Sequence, residues 1–250
     1  MKLSFIGNGN MAKSLIKGLS GAYEIEVFGR NSESLKVLAD EGIETHLIGD
    51  KLDIENKNIV LCVKPYSIDD VANKIVGRAN IVFSVLAGVS IDKLKVIKSK
   101  HYVRSMPNLG ASYCKSMTTL TGDIELKEVA IDIFNKIGKS LWVNSEKELD
   151  IATGVAGSGP AFLALVAESL ADGGVNQGLK REDAELLVKG LFDGFAALLE
   201  NSDAPSIKNG VMSPGGTTAA GYESLEKNGV RFAMMDAIKT AYKKALELKK

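Results

Sequence analysis

The six residues Gly7-Asn8-Gly9-Asn10-Met11-Ala12 constrain this chain more than any others. They follow a strand-like run, Lys2-Leu3-Ser4-Phe5-Ile6, and open a stretch with helical spacing, Asn10 to Leu19. Between a strand and a helix, a G-x-G-x-x-A turn has a specific physical use. Gly7 permits the tight turn, Gly9 lets the backbone approach a pyrophosphate, and Ala12 lets the helix pack closely on the strand. The unpaired N–H groups and partial positive charge of the helix N-terminus then attract phosphate. Gly7, Asn8, Gly9, Asn10 and Met11 are therefore expected to line a dinucleotide site.

The first 145 residues continue in the same style. Strand-like runs at Glu24–Phe28, Glu44–Ile48, Asn58–Val63, Asn80–Val85, Tyr102–Met106, Met117–Thr121 and Ser140–Val143 alternate with helical patterns at Ser32–Glu41 and Glu125–Ile137. Asn58–Val63 is nearly continuous in apolar residues, as in parallel strands covered on both faces. The alternation predicts an α/β domain, a Rossmann-type doubly wound sheet. From Glu146 onward no strand pattern is found. Ala184, Leu187, Val188, Leu191, Phe192, Phe195, Ala196 and Leu199 keep one helical stripe, and Ala161–Ala171 is apolar almost all round. The expected organisation is residues 1–145 as a cofactor domain and 146–250 as an all-helical domain for substrate and dimerisation.

The end of the second strand decides which dinucleotide. An NAD site places Asp or Glu there to hold the ribose 2′-hydroxyl. This chain instead reads Phe28-Gly29-Arg30-Asn31-Ser32, with Glu26 inside the strand. A guanidinium matches phosphate geometry, so Arg30, with Asn31 and Ser32 as neutral donors, points to NADPH; NADH is the alternative. Ligands in such folds lie beyond the carboxyl ends of the strands. Val63, Lys64 and Pro65 after the fourth strand, and Ala87 after the fifth, are expected to border the cofactor.

Lys plus Arg and Asp plus Glu are both 31, so no general basic surplus is available for nucleic acid. The two cysteines, Cys62 and Cys114, and two histidines, His46 and His101, have no metal-ligand spacing, and no metal is expected. No uninterrupted apolar run reaches the ~20 residues of a membrane span, and no secretory leader is read at the start. These readings point to a cytoplasmic enzyme.

Three further stretches are unusual: Arg104-Ser105-Met106-Pro107-Asn108, Gly157-Ser158-Gly159-Pro160-Ala161 and Ser213-Pro214-Gly215-Gly216-Thr217-Thr218. The last is a glycine-rich turn feeding a helix, a second anion site suited to a substrate carboxylate. With Gly-Asn-Gly-Asn-Met-Ala at 7–12 and Val-Lys-Pro at 63–65, these stretches resemble the Δ1-pyrroline-5-carboxylate reductase family in order and spacing. The resemblance implies reduction of the cyclic imine to L-proline, interlocked helical domains in a homodimer, and in many members a decamer. It also implies a site between one subunit's cofactor domain and the helical bundle of the dimer. Thr218 matches the threonine that contacts the ring nitrogen. Ser213, Gly216 and Thr217 match the carboxylate cradle, and Glu146 an acidic residue near the substrate. The segment Ile207–Met212 departs from the family, since Gly210 supplies no side chain where the family has one.

The chemistry agrees with that resemblance. Ketone reduction needs an acid for the forming alkoxide. Ala161–Ala171 holds no lysine, and neither histidine lies near a site loop. A protonated imine is already activated and needs orientation above all. A reductase for another imine or 2-keto acid, and a non-catalytic dinucleotide sensor, are the competing readings.

Overall fold

The computed structural model describes residues 1–248. β1 (Lys2–Ile6) leads through the glycine turn into α1 (Asn10–Leu19), followed by β2 (Glu24–Gly29), α2 (Ser32–Asp40) and β3 (Glu44–Leu47). Next come β4 (Leu52–Asp53), β5 (Asn58–Leu61), α3 (Ile68–Ala72), β6 (Ile75–Val76), β7 (Ala79–Ser84) and α4 (Ile91–Leu94). β8 (Ser99–Met106), β9 (Ser116–Gly122), α5 (Lys127–Asn135) and β10 (Gly138–Trp142) complete the sheet region. Eight strands form one sheet in the order β10-β9-β8-β7-β5-β1-β2-β3. All neighbours are parallel except β8 and β9. β4 and β6 make a separate parallel ladder.

Side-chain alternation builds a core on each face of the sheet. Leu3 and Phe5 of β1 join Val60, Ile81 and Phe83 on one face, with Leu15 of α1 and Phe134 of α5. Ile6, Ile59, Leu61 and Val82 point the other way, against Leu94 and Ile97. Burying a side chain of this size contributes about 1.5–3 kcal/mol relative to exposure. Phe83 and Phe134 meet edge to face, with ring centroids 6.0 Å apart. The strand order reverses between β1 and β5, which brings the turn after β1 beside the loop after β5. That switch point is where such folds bind ligands.

No strand follows Trp142 among the described residues. The helices are α6 (Glu146–Ala152), a π turn at Thr153–Gly157, α7 (Gly159–Asn176), α8 (Arg181–Asn201), α9 (Ala204–Val211), α10 (Thr217–Lys227) and α11 (Val230–Glu247). Two compact units result: Met1–Ser158 with the chain from Ile238 on, and Gly159–Ala237. The last strand ends at Trp142, whereas the compact units divide between 158 and 159 rather than at the boundary of 145 expected from the sequence. Leu149 and Asp150 of α6 are buried, and Asn108 Nδ2 donates to Ala156 O at 3.0 Å, which ties this stretch to the sheet unit.

The second unit leaves much apolar surface uncovered. Leu163 and Leu165 of α7 and Leu186, Leu187, Leu191 and Phe195 of α8 are exposed in the single chain; an all-apolar helix such as Ala161–Ala171 is expected either in a core or against another subunit. A departure from the sequence concerns length. Glu146–Asn176 is helical over 31 residues and holds an 18-residue stretch of mean hydropathy 1.5, long and apolar enough to cross a membrane by length and composition. The sequence shows no uninterrupted apolar run because Glu168 and Ser169 break it, but isolated polar residues do not end the helix.

Candidate active site

The turn after β1 has the geometry its glycines require. Gly7 has φ +107°, and a Cβ there would lie 2.7 Å from the carbonyl oxygen of Cys62. Gly7 N donates to Phe28 O at 2.8 Å, and Cys62 N to Ile6 O at 2.9 Å, so the turn is locked to β2 and β5. Gly9 is the N-cap of α1, with open space around its Cα and no side-chain cap; the first turn carries no acid. The amides of Asn10 and Met11 are thus left for a ligand. Asn8 Nδ2 is buried and has no hydrogen-bond partner among the described residues. An orphaned donor beside an uncapped helix fits a pyrophosphate and its ribose.

Arg30 is exposed at the end of β2. Asn31 caps α2, accepting from Ser34 N at 2.8 Å, and Ser32 is the first residue of that helix. No carboxylate stands at this strand end. Glu26 is buried within β2, where burial alone would raise its carboxyl; hydrogen bonds from Lys57, Ser4 and Lys2 outweigh that and hold it below the usual carboxylate range. Beyond Arg30 lies a cavity of about 360 Å³, floored by Ile48, Leu52 and Val71 and rimmed by Arg30, Asp70 and Lys74. The sequence had singled out only Arg30 of these.

Lys64 is exposed and caps the short turn that Pro65 begins; Val63 precedes it at the end of the β5 segment. Ala87 lies in the loop after β7, and Gly88 beside it packs against the chain's last helix, where a Cβ would meet Leu248 Cβ at 2.5 Å. Glu146 opens α6. Its Oε1 accepts from Arg104 Nη1 at 3.0 Å and from Ile91 N at 2.9 Å. Arg104 also donates from Nη2 to Asp150 Oδ1 at 2.8 Å, and both residues are 1% exposed. A charge inside an apolar strand signals such partners, but the sequence does not say which.

His46, isolated in sequence, lies 2.9 Å from Glu44 and 3.8 Å from Glu26. The three could surround a cation. Lys2 and Lys57 already sit on both carboxylates at 2.7 Å, supplying the positive charge an ion would bring.

In the second unit, Gly216 N donates to Ser213 O at 3.0 Å and closes a tight turn. A Cβ on Gly216 would strike Ser213 Oγ at 2.5 Å, so only glycine keeps that hydroxyl in place. Gly216 caps α10 with no side-chain hydrogen bond, leaving the amides of Thr217 and Thr218 exposed at the helix N-terminus. Thr218 lines a cavity of about 940 Å³ with Lys208, Tyr222 and Arg231. Tyr222 Oη accepts from Arg231 Nη2 at 2.7 Å. The atypical stretch before the turn is α9, capped by Asp203.

Comparison with known proteins agrees with this layout. The family profile described as pyrroline-5-carboxylate reductase dimerisation matches residues 146–248. A profile described as NADP oxidoreductase, coenzyme F420-dependent, matches residues 2–88. A pyrroline-5-carboxylate reductase of Helicobacter pylori is 36% identical over 97% of this chain and 98% of its own length. The crystal structure of such a reductase from Streptococcus pyogenes superposes with a TM-score of 0.88 at 29% identity, covering 99% of this chain and 98% of that one. That of a Plasmodium falciparum pyrroline carboxylate reductase with NADP bound gives 0.86 at 30% identity, covering both chains fully at 100%.

Proposed function

The chain belongs to the pyrroline-5-carboxylate reductase family, and on that premise we propose how its residues share the work. It is an NAD(P)H-dependent oxidoreductase that reduces the C=N bond of pyrroline-5-carboxylate to give L-proline, the last step of proline synthesis. The observation that carries the division of labour is the pair of uncapped, glycine-led helix N-termini, at Gly9 and at Gly216. One suits a pyrophosphate and the other a carboxylate.

The amides of Gly7–Met11 hold the pyrophosphate, and Asn8 Nδ2 gains the partner it lacks. Arg30 pairs with the 2′-phosphate, with Asn31 and Ser32 as neutral donors, while Val63, Lys64, Pro65 and Ala87 border the rest of the cofactor. Bound NADPH supplies the hydride. Ser213 Oγ and the amides of Gly216 and Thr217 hold the substrate carboxylate, and Thr218 Oγ1 orients the ring nitrogen. Glu146 uses Oε1 to fix Arg104 and Ile91, so its substrate contact falls to Oε2. No strong acid is required, because the protonated imine becomes a neutral amine on taking the hydride.

Residues 1–145 form the cofactor domain and 146–250 the substrate and dimerisation domain. The exposed leucines of α7 and α8 belong to a homodimer interface rather than a membrane, and dimers assemble further into a decamer in the cytoplasm. Neither nucleic acid nor a structural metal takes part. Thr218→Ala tests the assignment: kcat/KM for the imine should fall about 100-fold, as when one oriented donor is removed, with NADPH affinity unchanged. Wild-type turnover would remove Thr218 from the mechanism.

A further inference from the structure

The cavity beside Arg30 contains a second cation that no sequence motif marks. Lys74 lines it together with Arg30, while Ile48, Leu52 and Val71 supply an apolar floor. Such a slot, flat and apolar below and cationic at the rim, suits a purine base carrying a phosphate nearby. Its place also fits: Arg30 leaves β2 and Ile48 leaves β3, both beyond the carboxyl ends of their strands, and Lys74, between α3 and β6, lines the same cavity.

Lys74 is held there by its surroundings. Its carbonyl accepts from Leu52 N at 2.8 Å, and the two-residue ladder of β4 with β6 continues that pairing, Leu52 opposite Ile75. This small ladder is otherwise without an evident purpose. The side chain is half-buried, and Nζ donates to Gly49 O at 3.3 Å. Two ammonium protons remain. The bond to Gly49 O lowers the ordering entropy left for a ligand to meet. Asp70 is the acidic group on the same rim. Two cations against one carboxylate leave a positive surplus, which a phosphate dianion answers and a ribose hydroxyl does not.

We propose that Lys74 is a specificity-determining residue of the cofactor site, sharing the 2′-phosphate of NADPH with Arg30. The proposal rests on the NADPH reading above. Arg30 supplies a planar fork and Lys74 a point charge, so the two can address different phosphate oxygens.

Calorimetric titration of the full-length protein with 2′,5′-ADP and with 5′-AMP tests this without turnover. Wild type should bind 2′,5′-ADP more tightly. Lys74→Met should weaken 2′,5′-ADP about tenfold, equal to about 1.4 kcal/mol, and leave 5′-AMP unchanged. Lys74→Gln keeps a donor for Gly49 O and should give the same loss, which guards against a folding defect in the first variant. Equal losses for both nucleotides would make Lys74 a structural residue and overturn the proposal. An unchanged ratio in either variant, with wild type still preferring 2′,5′-ADP, would overturn it and leave Arg30 alone. A wild type without preference would overturn the NADPH reading and the proposal together.

Discussion

Replacing Arg104 by Met should show how far the sheet unit depends on one buried ion network. Arg104 and Asp150 are each 1% exposed and meet at 2.8 Å; Glu146 is partly exposed and meets the same guanidinium at 3.0 Å. Removing one member of a buried pair takes from the other charge its main compensation and costs about 3–5 kcal/mol. The Glu146 half adds little, since solvent screens it. Arg104 Nε is already buried without a hydrogen bond among the described residues, so the wild-type network is imperfect and the lower figure, about 3 kcal/mol, is expected. For a chain of this size that lowers Tm by roughly 10 °C. Thermal melts monitored by circular dichroism would measure it. Adding Asp150→Leu should return at least half of the loss, because the buried carboxylate that lost its guanidinium is gone. A single variant within about 2 °C of wild type, or a double variant that is worse than the single, would refute the reasoning.

Two shorter tests address the cofactor end. Gly7→Ala places a Cβ 2.7 Å from the Cys62 carbonyl at φ +107°, and backbone cannot yield cheaply; NADPH affinity should fall more than about tenfold, or about 1.4 kcal/mol, in fluorescence titration. Unchanged affinity would mean the turn does not carry the pyrophosphate. The Glu26 carboxyl is held low in the folded state, so it contributes stability above its ordinary pKa and loses it as pH falls through the carboxylate range. Lys57→Met should therefore lower Tm at pH 7, with a gap to wild type that narrows as pH falls below 4.5, the ordinary glutamate value; a gap that stays constant with pH would contradict the pairing.

How much of this was legible in the sequence depends on how local each signal is. The turn at Gly7–Ala12 could be read because its residues are contiguous and each has its own steric reason. The same holds for the Ser213–Thr218 turn. β8 begins at Ser99, earlier than its apolar residues indicate, because Ser99 and His101 pair in register with Ala79 and Ile81, a pairing that needs no apolar side chain. The antiparallel direction of β9 has no side-chain signature. β4 and β6 are too short for any periodicity to register. Lys74 was out of reach for a related reason: it joins Arg30 only through that ladder. The apolar faces of α7 stand exposed in the single chain, since a sequence pattern tells that a helix is apolar all round but not which surface it packs against.

The most direct test of the whole account is NADPH oxidation by the purified protein with pyrroline-5-carboxylate, run beside NADH and the six-membered cyclic imine carboxylate. The account predicts fast, imine-dependent oxidation that favours NADPH and the five-membered ring and yields L-proline. Tight NADPH binding with no imine-dependent oxidation would contradict it.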